Sequence, residues 1–138
     1  MKLLLYLSLT TFFWGVAAIF DKLALGKGPA FAGLIMRQLV LGSTILLVAL
    51  GAGKMGDLLR LDGRSALFFG LSGICGGALG LWTYYQALRM AGASLVVPIT
   101  ATYPLVAVLL SWIILGESLT AARIAGTVLI ILGVWLVK

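Results

Sequence analysis

One charged side chain lies within a long apolar stretch of this sequence. Arg37 stands eight residues after Pro29 and next to Gln38, in a stretch that runs from about Ala30 to Leu50. An arginine inside a membrane-spanning helix is costly and usually faces protein or water, although its long side chain can also reach the headgroups from near a helix end. Arg37 is therefore a candidate for lining a substrate cavity, with snorkelling as the alternative.

The partner of Arg37 is not evident from the sequence. No acidic residue falls inside a predicted apolar span, because the first of these spans ends at Phe20, just before Asp21. Arg37 then has no obvious carboxylate partner in its own membrane layer. The groups expected to receive its guanidinium are a substrate anion, backbone carbonyls or a tyrosine hydroxyl.

Two prolines interrupt a later apolar stretch, Leu95 to Leu115. A proline inside a helix leaves the carbonyl four residues earlier without its usual partner, and this applies to both Pro98 and Pro104. In hydrocarbon such carbonyls must be satisfied by protein groups or by a water-lined cavity. Thr100 and Tyr103 lie beside the prolines, so the pattern indicates either a cavity wall or a kink that only shapes helix packing.

Aromatic side chains gather at the end of another apolar stretch, where Trp82, Tyr84 and Tyr85 fall within four positions. Successive helical positions point to different faces, so some of these side chains should face inward. The alternative is an aromatic belt at the membrane interface. Trp14, next to Gly15, is open to the same two interpretations.

The composition sets the class of protein. Of the 138 residues, 62% are hydrophobic and only 10% are charged, and the mean hydropathy is +1.18. Five apolar segments of roughly 17–23 residues are each long enough to cross about 30 Å of hydrocarbon. The sequence therefore predicts one all-α domain over residues 1–138, an integral membrane bundle of five transmembrane helices. The predicted spans are Leu3 to about Phe20, about Ala30 to Leu50, about Ala66 to Leu88, Leu95 to Leu115, and Ala121 to Val137.

Charge and reactive side chains disfavour several functions. The net charge of +6 falls mainly in the connections, where it faces water and headgroups, so membrane lipid is an expected partner and nucleic acid is not. The single cysteine, Cys75, and the absence of histidine exclude an intramolecular disulfide and a cysteine-based metal site. With no acid pair and no nucleophile beside a base, we expect no enzyme activity, metal or cofactor.

Glycines recur at spacings that let helix backbones approach closely. Helix packing is the default interpretation in the third span, and the fifth span is a candidate packing or dimer face. The residues concerned are Gly73, Gly76, Gly77 and Gly80 in the third span, and Gly126 and Gly133 in the fifth.

An ordered set of residues runs through the whole chain. It consists of Trp14-Gly15, Lys22, Arg37, Tyr84-x-x-Ala87-Leu88, Ala93-Ser94, Pro98, Pro104, Leu115-Gly116-Glu117, Gly126 and Gly133. Taken together, this set resembles one repeat of the drug/metabolite transporter superfamily, EamA type. Members usually carry two five-helix repeats in one polypeptide, so the resemblance implies half of a ten-helix inverted-repeat transporter. It also implies a carrier for small metabolites, often an exporter.

An odd number of spans constrains how two copies could assemble. Two copies that form one path by inverted-repeat logic must insert in opposite orientations. The basic residues nearly balance between the two sides, which is a weak orientation signal. We therefore hypothesise dual topology and an antiparallel homodimer, with parallel assembly or a second half-length subunit as alternatives. One side holds Lys2, Lys54, Arg60, Arg64 and Arg123, and the other holds Lys22, Lys27, Arg89 and Lys138.

Lys22 and Glu117 are candidate gate or coupling residues. In the antiparallel dimer, Glu117 of one copy would lie on the same membrane side as Lys22 of the other. The alternative for Glu117, the only glutamate, is an anion at a helix terminus, before a fifth span that Thr120 caps. Without an intramembrane acid to carry a proton, we expect either facilitated exchange or coupling through Glu117.

The predicted function is a secondary transporter or exporter of small metabolites that works by alternating access in the plasma (inner) membrane. Arg37 favours a substrate with an anionic group, and the aromatics favour a flat or apolar body. Two alternatives use the same fold: a lipid-carrier flippase subunit, and a non-transporting membrane assembly subunit. The predicted substrate cavity is lined by Trp14, Arg37, Trp82, Tyr84, Tyr85, Thr100, Tyr103 and Pro104.

Overall fold

The computed structural model describes residues 2–137, all of whose regular structure is helical. Lys138, which the charge count above includes, lies outside the described residues. The helices are α1 (Lys2–Leu25), α2 (Ala30–Gly51), α3 (Met55–Leu59), α4 (Gly63–Ser72), a π-helical segment (Gly73–Gly80), α5 (Leu81–Met90), α6 (Ala93–Thr100), α7 (Tyr103–Leu115) and α8 (Ala121–Val137).

Four of the helical stretches are long and apolar enough to cross a membrane. They are α1, α2, the continuous stretch Gly63–Met90 and the stretch Ala93–Leu115, of 24, 22, 28 and 23 residues. The remaining apolar helix, α8, has 17 residues and is shorter. The all-helical class is confirmed, while the fifth span and the half-transporter architecture stay predictions.

The first helix is longer than the sequence indicated. The predicted end near Phe20, at Asp21-Lys22, is wrong, because α1 includes both charged residues and continues to Leu25. The chain turns only afterwards, where the N–H of Gly28 donates to the carbonyl of Ala24 at 2.9 Å. The extra turn of helix therefore brings Asp21 to Arg37 of α2 and Lys22 to Leu88 of α5.

The described residues form two compact units that divide between Arg89 and Met90. A single five-helix domain stays a prediction. In the first unit, burial is confined to the region where α1 ends, α2 begins and α5 ends, which we call the packed end. Its buried residues are Ala18, Leu25, Ala30, Leu34, Tyr85 and Leu88.

The third span contains a π-helical segment, Gly73–Gly80, which we call the widened turn. Asp62 caps α4, because its Oδ2 accepts the N–H of Ser65 at 3.1 Å. Hydrogen bonds from Ser65 lower the pKa of the Asp62 carboxyl. Ten residues of α-helix follow, and the π-helical segment then separates α4 from α5. Such segments are rare and are frequent at functional sites.

The second unit begins with a helix that breaks between its two prolines. Pro98 lies inside α6, and Pro104 lies in the first turn of α7, where a missing N–H costs nothing. The Thr100 hydroxyl donates to the carbonyls of Val96 and Val97, at 3.0 and 2.9 Å. These bonds satisfy backbone groups at the break, although not the two carbonyls that the prolines were predicted to free.

The end of α7 and the start of α8 are both capped. Gly116 ends α7 with a φ of 65°, and the N–H of Glu117 donates to the carbonyl of Ser111 at 3.2 Å. A glycine suits this left-handed conformation because it has no Cβ. The Thr120 hydroxyl oxygen accepts the N–H of Arg123 at 3.3 Å, which confirms the predicted cap of α8.

Candidate functional site

In the first unit, side chains from α2 and α5 both contact the carboxylate of Asp21 on α1. The Arg37 Nη1 atom donates to Oδ2 of Asp21 at 2.6 Å and forms a salt bridge. The Tyr85 hydroxyl donates to Oδ1 of the same carboxylate at 2.7 Å. One carboxylate on α1 thereby connects α2 and α5, and both of its oxygens have partners.

The expectation that Arg37 lacks a carboxylate partner is wrong. It rested on a first span that ended at Phe20, whereas the additional helical turn brings Asp21 into the layer of Arg37. The expected tyrosine hydroxyl also lies at the site, where Tyr85 interacts with Arg37 and donates a hydrogen bond to Asp21. The signal that could have found Asp21 was the glycine pair that follows it, since Gly26 and Gly28 form the actual stop of α1.

Lys22, the next residue of α1, reaches a helix end. Its Nζ donates to the carbonyl oxygen of Leu88, near the end of α5. A cation at this position interacts favourably with the carbonyls that the end of a helix leaves exposed. This contact joins α1 to α5 at the packed end. The gate or coupling role of Lys22 stays a prediction.

A cleft of about 430 Å³ opens beside the carboxylate. Asp21, Arg37 and Tyr85 supply its polar surface, and the rest of its lining is apolar, glycine or proline, including Phe20 and Met36. The volume lies within the usual range for small-molecule sites. The side chain of Asp21 is 12% exposed and that of Arg37 is 38% exposed, so the guanidinium is the more accessible of the two charges.

A second polar contact joins α2 to the widened turn. Gln38 Nε2 donates to the carbonyl oxygen of Gly77 at 3.0 Å. A Cβ added at Gly77 would lie 2.9 Å from this nitrogen, so the contact depends on the glycine. The sequence flagged both residues, but nothing in their spacing paired them.

The structure brings together some of the predicted cavity residues and not others. Arg37 and Tyr85 line the cleft, whereas Trp82 packs edge-to-face on Phe31 with ring centroids 5.6 Å apart. The Tyr84 ring lies 6.3 Å from that of Tyr85. Further predicted residues are placed elsewhere in the chain: Trp14 is exposed on α1, and Thr100, Tyr103, Pro104 and Glu117 belong to the second unit.

The predicted packing glycines differ in their surroundings. A Cβ at Gly80 would meet the Cys75 carbonyl oxygen at 3.0 Å, within the π-helical segment itself. At the other four positions an added Cβ would meet no atom of the described chain within 4 Å. These four are Gly73, Gly76, Gly126 and Gly133.

Comparison with known proteins assigns the family. The sequence model of the EamA-like transporter family matches residues 1–138. The chain belongs to this family. Family members are transporters rather than enzymes, and this EamA-like protein is a membrane transporter of the drug/metabolite transporter type. Its apolar helices make it a multi-pass integral membrane protein, and the resemblance drawn from the sequence is confirmed.

Two relatives are similar to the EamA-like chain over nearly their full lengths. An uncharacterised protein of Methanocaldococcus jannaschii is 30% identical over 130 residues, which cover 94% of this chain and 91% of the relative. An uncharacterised transporter in the cobO 3′ region of a Sinorhizobium species is 26% identical over 125 residues, which cover 91% and 88%. Both relatives are therefore about as long as this chain. No solved structure matches it.

Proposed function

We propose that this EamA-like protein is a secondary transporter or exporter of small metabolites that works by alternating access as an antiparallel homodimer in the plasma membrane. The observation that carries the proposal is the family match along the whole chain. The relatives support the dimer, because the match covers about nine-tenths of each, so those proteins are one repeat long. A transport path built from inverted repeats then needs a second copy.

The charge distribution supports insertion in both orientations. If α8 crosses the membrane with the four longer stretches, the connections alternate between the two sides. Five basic residues then face one side and four face the other, as counted above. A difference of one leaves the positive-inside rule almost without a preference.

The cleft supports a substrate site in each copy. It combines an apolar lining with one accessible cation, Arg37, which is the arrangement expected for a small molecule with an anionic group and an apolar body. In this proposal, rocking of the helices exposes the cleft to one side and then the other. Trp82 and Tyr84 of the same unit would extend the path.

Orientation reporters test the antiparallel dimer. Two reporters are fused after the last residue, one active only in the cytoplasm and one only outside it. Signal from both is the expected result. The matched variants Lys27→Gln and Lys54→Gln remove one charge from opposite sides, so they should shift the ratio of the two signals in opposite directions. Signal from one reporter alone, unmoved by either variant, would overturn the antiparallel homodimer.

Cross-linking provides an independent readout of the same arrangement. In a Cys75→Ser background, Lys22→Cys in one copy and Glu117→Cys in another would lie on the same membrane side only if the copies are antiparallel. Lys22→Cys with Arg89→Cys is the matched control, since that pair shares a side only between parallel copies. A cross-link confined to the control pair would contradict the proposal.

A further inference from the structure

We propose that the cleft takes up an organic anion at Arg37 together with one proton at Asp21. This inference rests on the proposed transport function and deepens it, because it names the class of substrate and the ion that accompanies it. The juxtaposition that carries it is an accessible guanidinium whose counterion is a covered carboxylate at the same cleft.

The two charges differ in how a ligand could reach them. Arg37 is about three times as exposed as Asp21, at 38% against 12%. A guanidinium presents five N–H donors in a fork that suits a carboxylate, and the contact with Asp21 is made through Nη1. An anion in the cleft can therefore approach the exposed side of Arg37 while Asp21 still lies against α2 and α5.

The charge balance then requires a proton. With Asp21 ionised, the pair is neutral, and an added anion leaves two carboxylates against one guanidinium. The rest of the cleft lining is apolar, glycine or proline, and an uncompensated charge in such surroundings is strongly unfavourable. Protonation of Asp21 restores neutrality: the carboxylate takes up one proton, and the anion becomes the counterion of Arg37.

The other groups around Asp21 favour this solution. From α5, the Tyr85 hydroxyl donates to Asp21, and Tyr84 interacts with it electrostatically; neither hydroxyl carries a charge at neutral pH. On α1, the ammonium of Lys22 is held at the Leu88 carbonyl. Asp21 and the bound anion would thus both need Arg37 as their counterion. When Asp21 takes up a proton it loses its charge, and Arg37 then pairs with the anion alone.

Proton uptake on binding has a measurable consequence. An anion that takes up one full proton on binding gains about tenfold in affinity for each unit by which the pH falls. The anion and the proton enter as a neutral pair. Transport of such a substrate would consequently move no net charge.

Benzoate is a suitable probe, since it joins a carboxylate to a flat apolar body and remains an anion well above pH 4, roughly where carboxyl groups titrate. Binding to the purified full chain in detergent is followed by calorimetry in two buffers with different heats of ionisation. We expect a dissociation constant that rises about tenfold per pH unit near neutrality and an uptake of about one proton per benzoate. Binding without proton uptake, or no binding at all, would overturn the inference.

Two variants separate the roles of the pair. Asp21→Asn should bind benzoate more tightly at neutral pH, with a dissociation constant independent of pH, because no proton is then needed. Asp57→Asn is the matched control, an aspartate in an exposed pair with Lys54, and should keep the wild-type slope. An Asp21→Asn protein with the wild-type slope would refute the role of Asp21.

The proton count on the unaltered protein decides the question even if Asp21→Asn fails to fold. The outcome is also independent of the orientation test. Failure of dual topology would leave proton-linked benzoate binding intact, and failure of the proton linkage would leave the dimer arrangement untouched.

Discussion

The two ends of the first unit are made from the same kinds of residue and differ in how those residues are used. At the packed end, Leu88 is fully buried and Tyr85 is 3% exposed. At the opposite end, which we call the open end, α1 begins and α2 ends. The large apolar side chains there are exposed. Leu4 there is 69% exposed, although it is as apolar as Leu88.

Polar side chains account for much of this difference. At the packed end, Asp21, Lys22 and Arg37 make hydrogen bonds from one helix to another. Towards the open end, the hydroxyls of Thr10 and Thr11 donate to carbonyls four residues earlier in their own helix. Such a bond satisfies the hydroxyl without joining two helices.

The comparison shows what hydrophobicity alone achieves inside a bilayer. Lipid tails are as apolar as leucine, so apolar contact between helices is not favoured over contact with lipid. Helices then come together where packing is close or where polar groups bond across them. At the open end, Leu4 stays largely exposed in the described chain, where lipid or a second copy can contact it.

Truncating one leucine at each end should give the largest difference in the free energy of unfolding. Leu88→Ala should lower the free energy of unfolding by about 3 kcal/mol, because it opens a cavity among packed side chains. Leu4→Ala should change it by less than about 0.5 kcal/mol, since that side chain has few contacts within the chain. Reversible unfolding in mixed micelles, followed by circular dichroism, measures both.

The same leucine pair can also sharpen the comparison. If Leu4→Ala leaves unfolding unchanged but lowers the dimer fraction in detergent, a second copy covers the open end. Equal losses of unfolding free energy at Leu4 and Leu88 would mean that the contrast between the two ends is wrong.

Removing the guanidinium of Arg37 should have the next largest effect. Arg37→Ala leaves the mostly covered Asp21 carboxylate without its counterion, and we expect a loss of about 2 kcal/mol in unfolding free energy. Because the damage is the unpaired charge, adding Asp21→Asn should recover about 1 kcal/mol or more.

The exposed pair Lys54 and Asp57 is the control for this cycle. Its atoms are 3.7 Å apart and both side chains are more than half exposed, so its coupling energy should be below about 0.5 kcal/mol. A coupling energy between Asp21 and Arg37 as small as that of the control would remove the pair as the tie between α1 and α2.

Adding a methyl group at Gly77 tests the hydrogen bond from Gln38, which we expect to contribute less than the Arg37–Asp21 pair. Gly77→Ala should displace the Gln38 amide and lose about 1 kcal/mol of hydrogen bonding, which offsets the gain that alanine brings to a helix. Gly70→Ala, in the same span but with open space around the added methyl, should be neutral or stabilising. Melting temperatures of the two variants in one detergent measure the difference.

The Gln38→Ala background identifies the cause. Once the amide is gone, Gly77→Ala and Gly70→Ala should change the melting temperature by similar amounts. A difference that persists in this background would place the strain in the π-helical backbone and not in the hydrogen bond.

Much of the fold could be predicted because its causes are local. Runs of apolar residues predict the long helices, and a single residue, Thr120, predicts where α8 begins. Arg37 and Tyr85 could be chosen as site residues, since a charge or a cluster of aromatics in an apolar run is uncommon. In each case the relevant physics acts within a few residues of the chain.

The partner of Arg37 could not be predicted, because it depends on which residues from separate helices come to the same depth. Asp21 lies 16 residues before Arg37, and it reaches the site only because α1 continues past Phe20 into contact with α2 and α5. The widened turn is another such case, since the Gly77 carbonyl and the Gln38 amide come from different spans. The membrane class and most helix limits follow from residue types along the chain, whereas the charge pair, the cleft and the packed end arise from the juxtaposition of helices, which apolar periodicity does not encode.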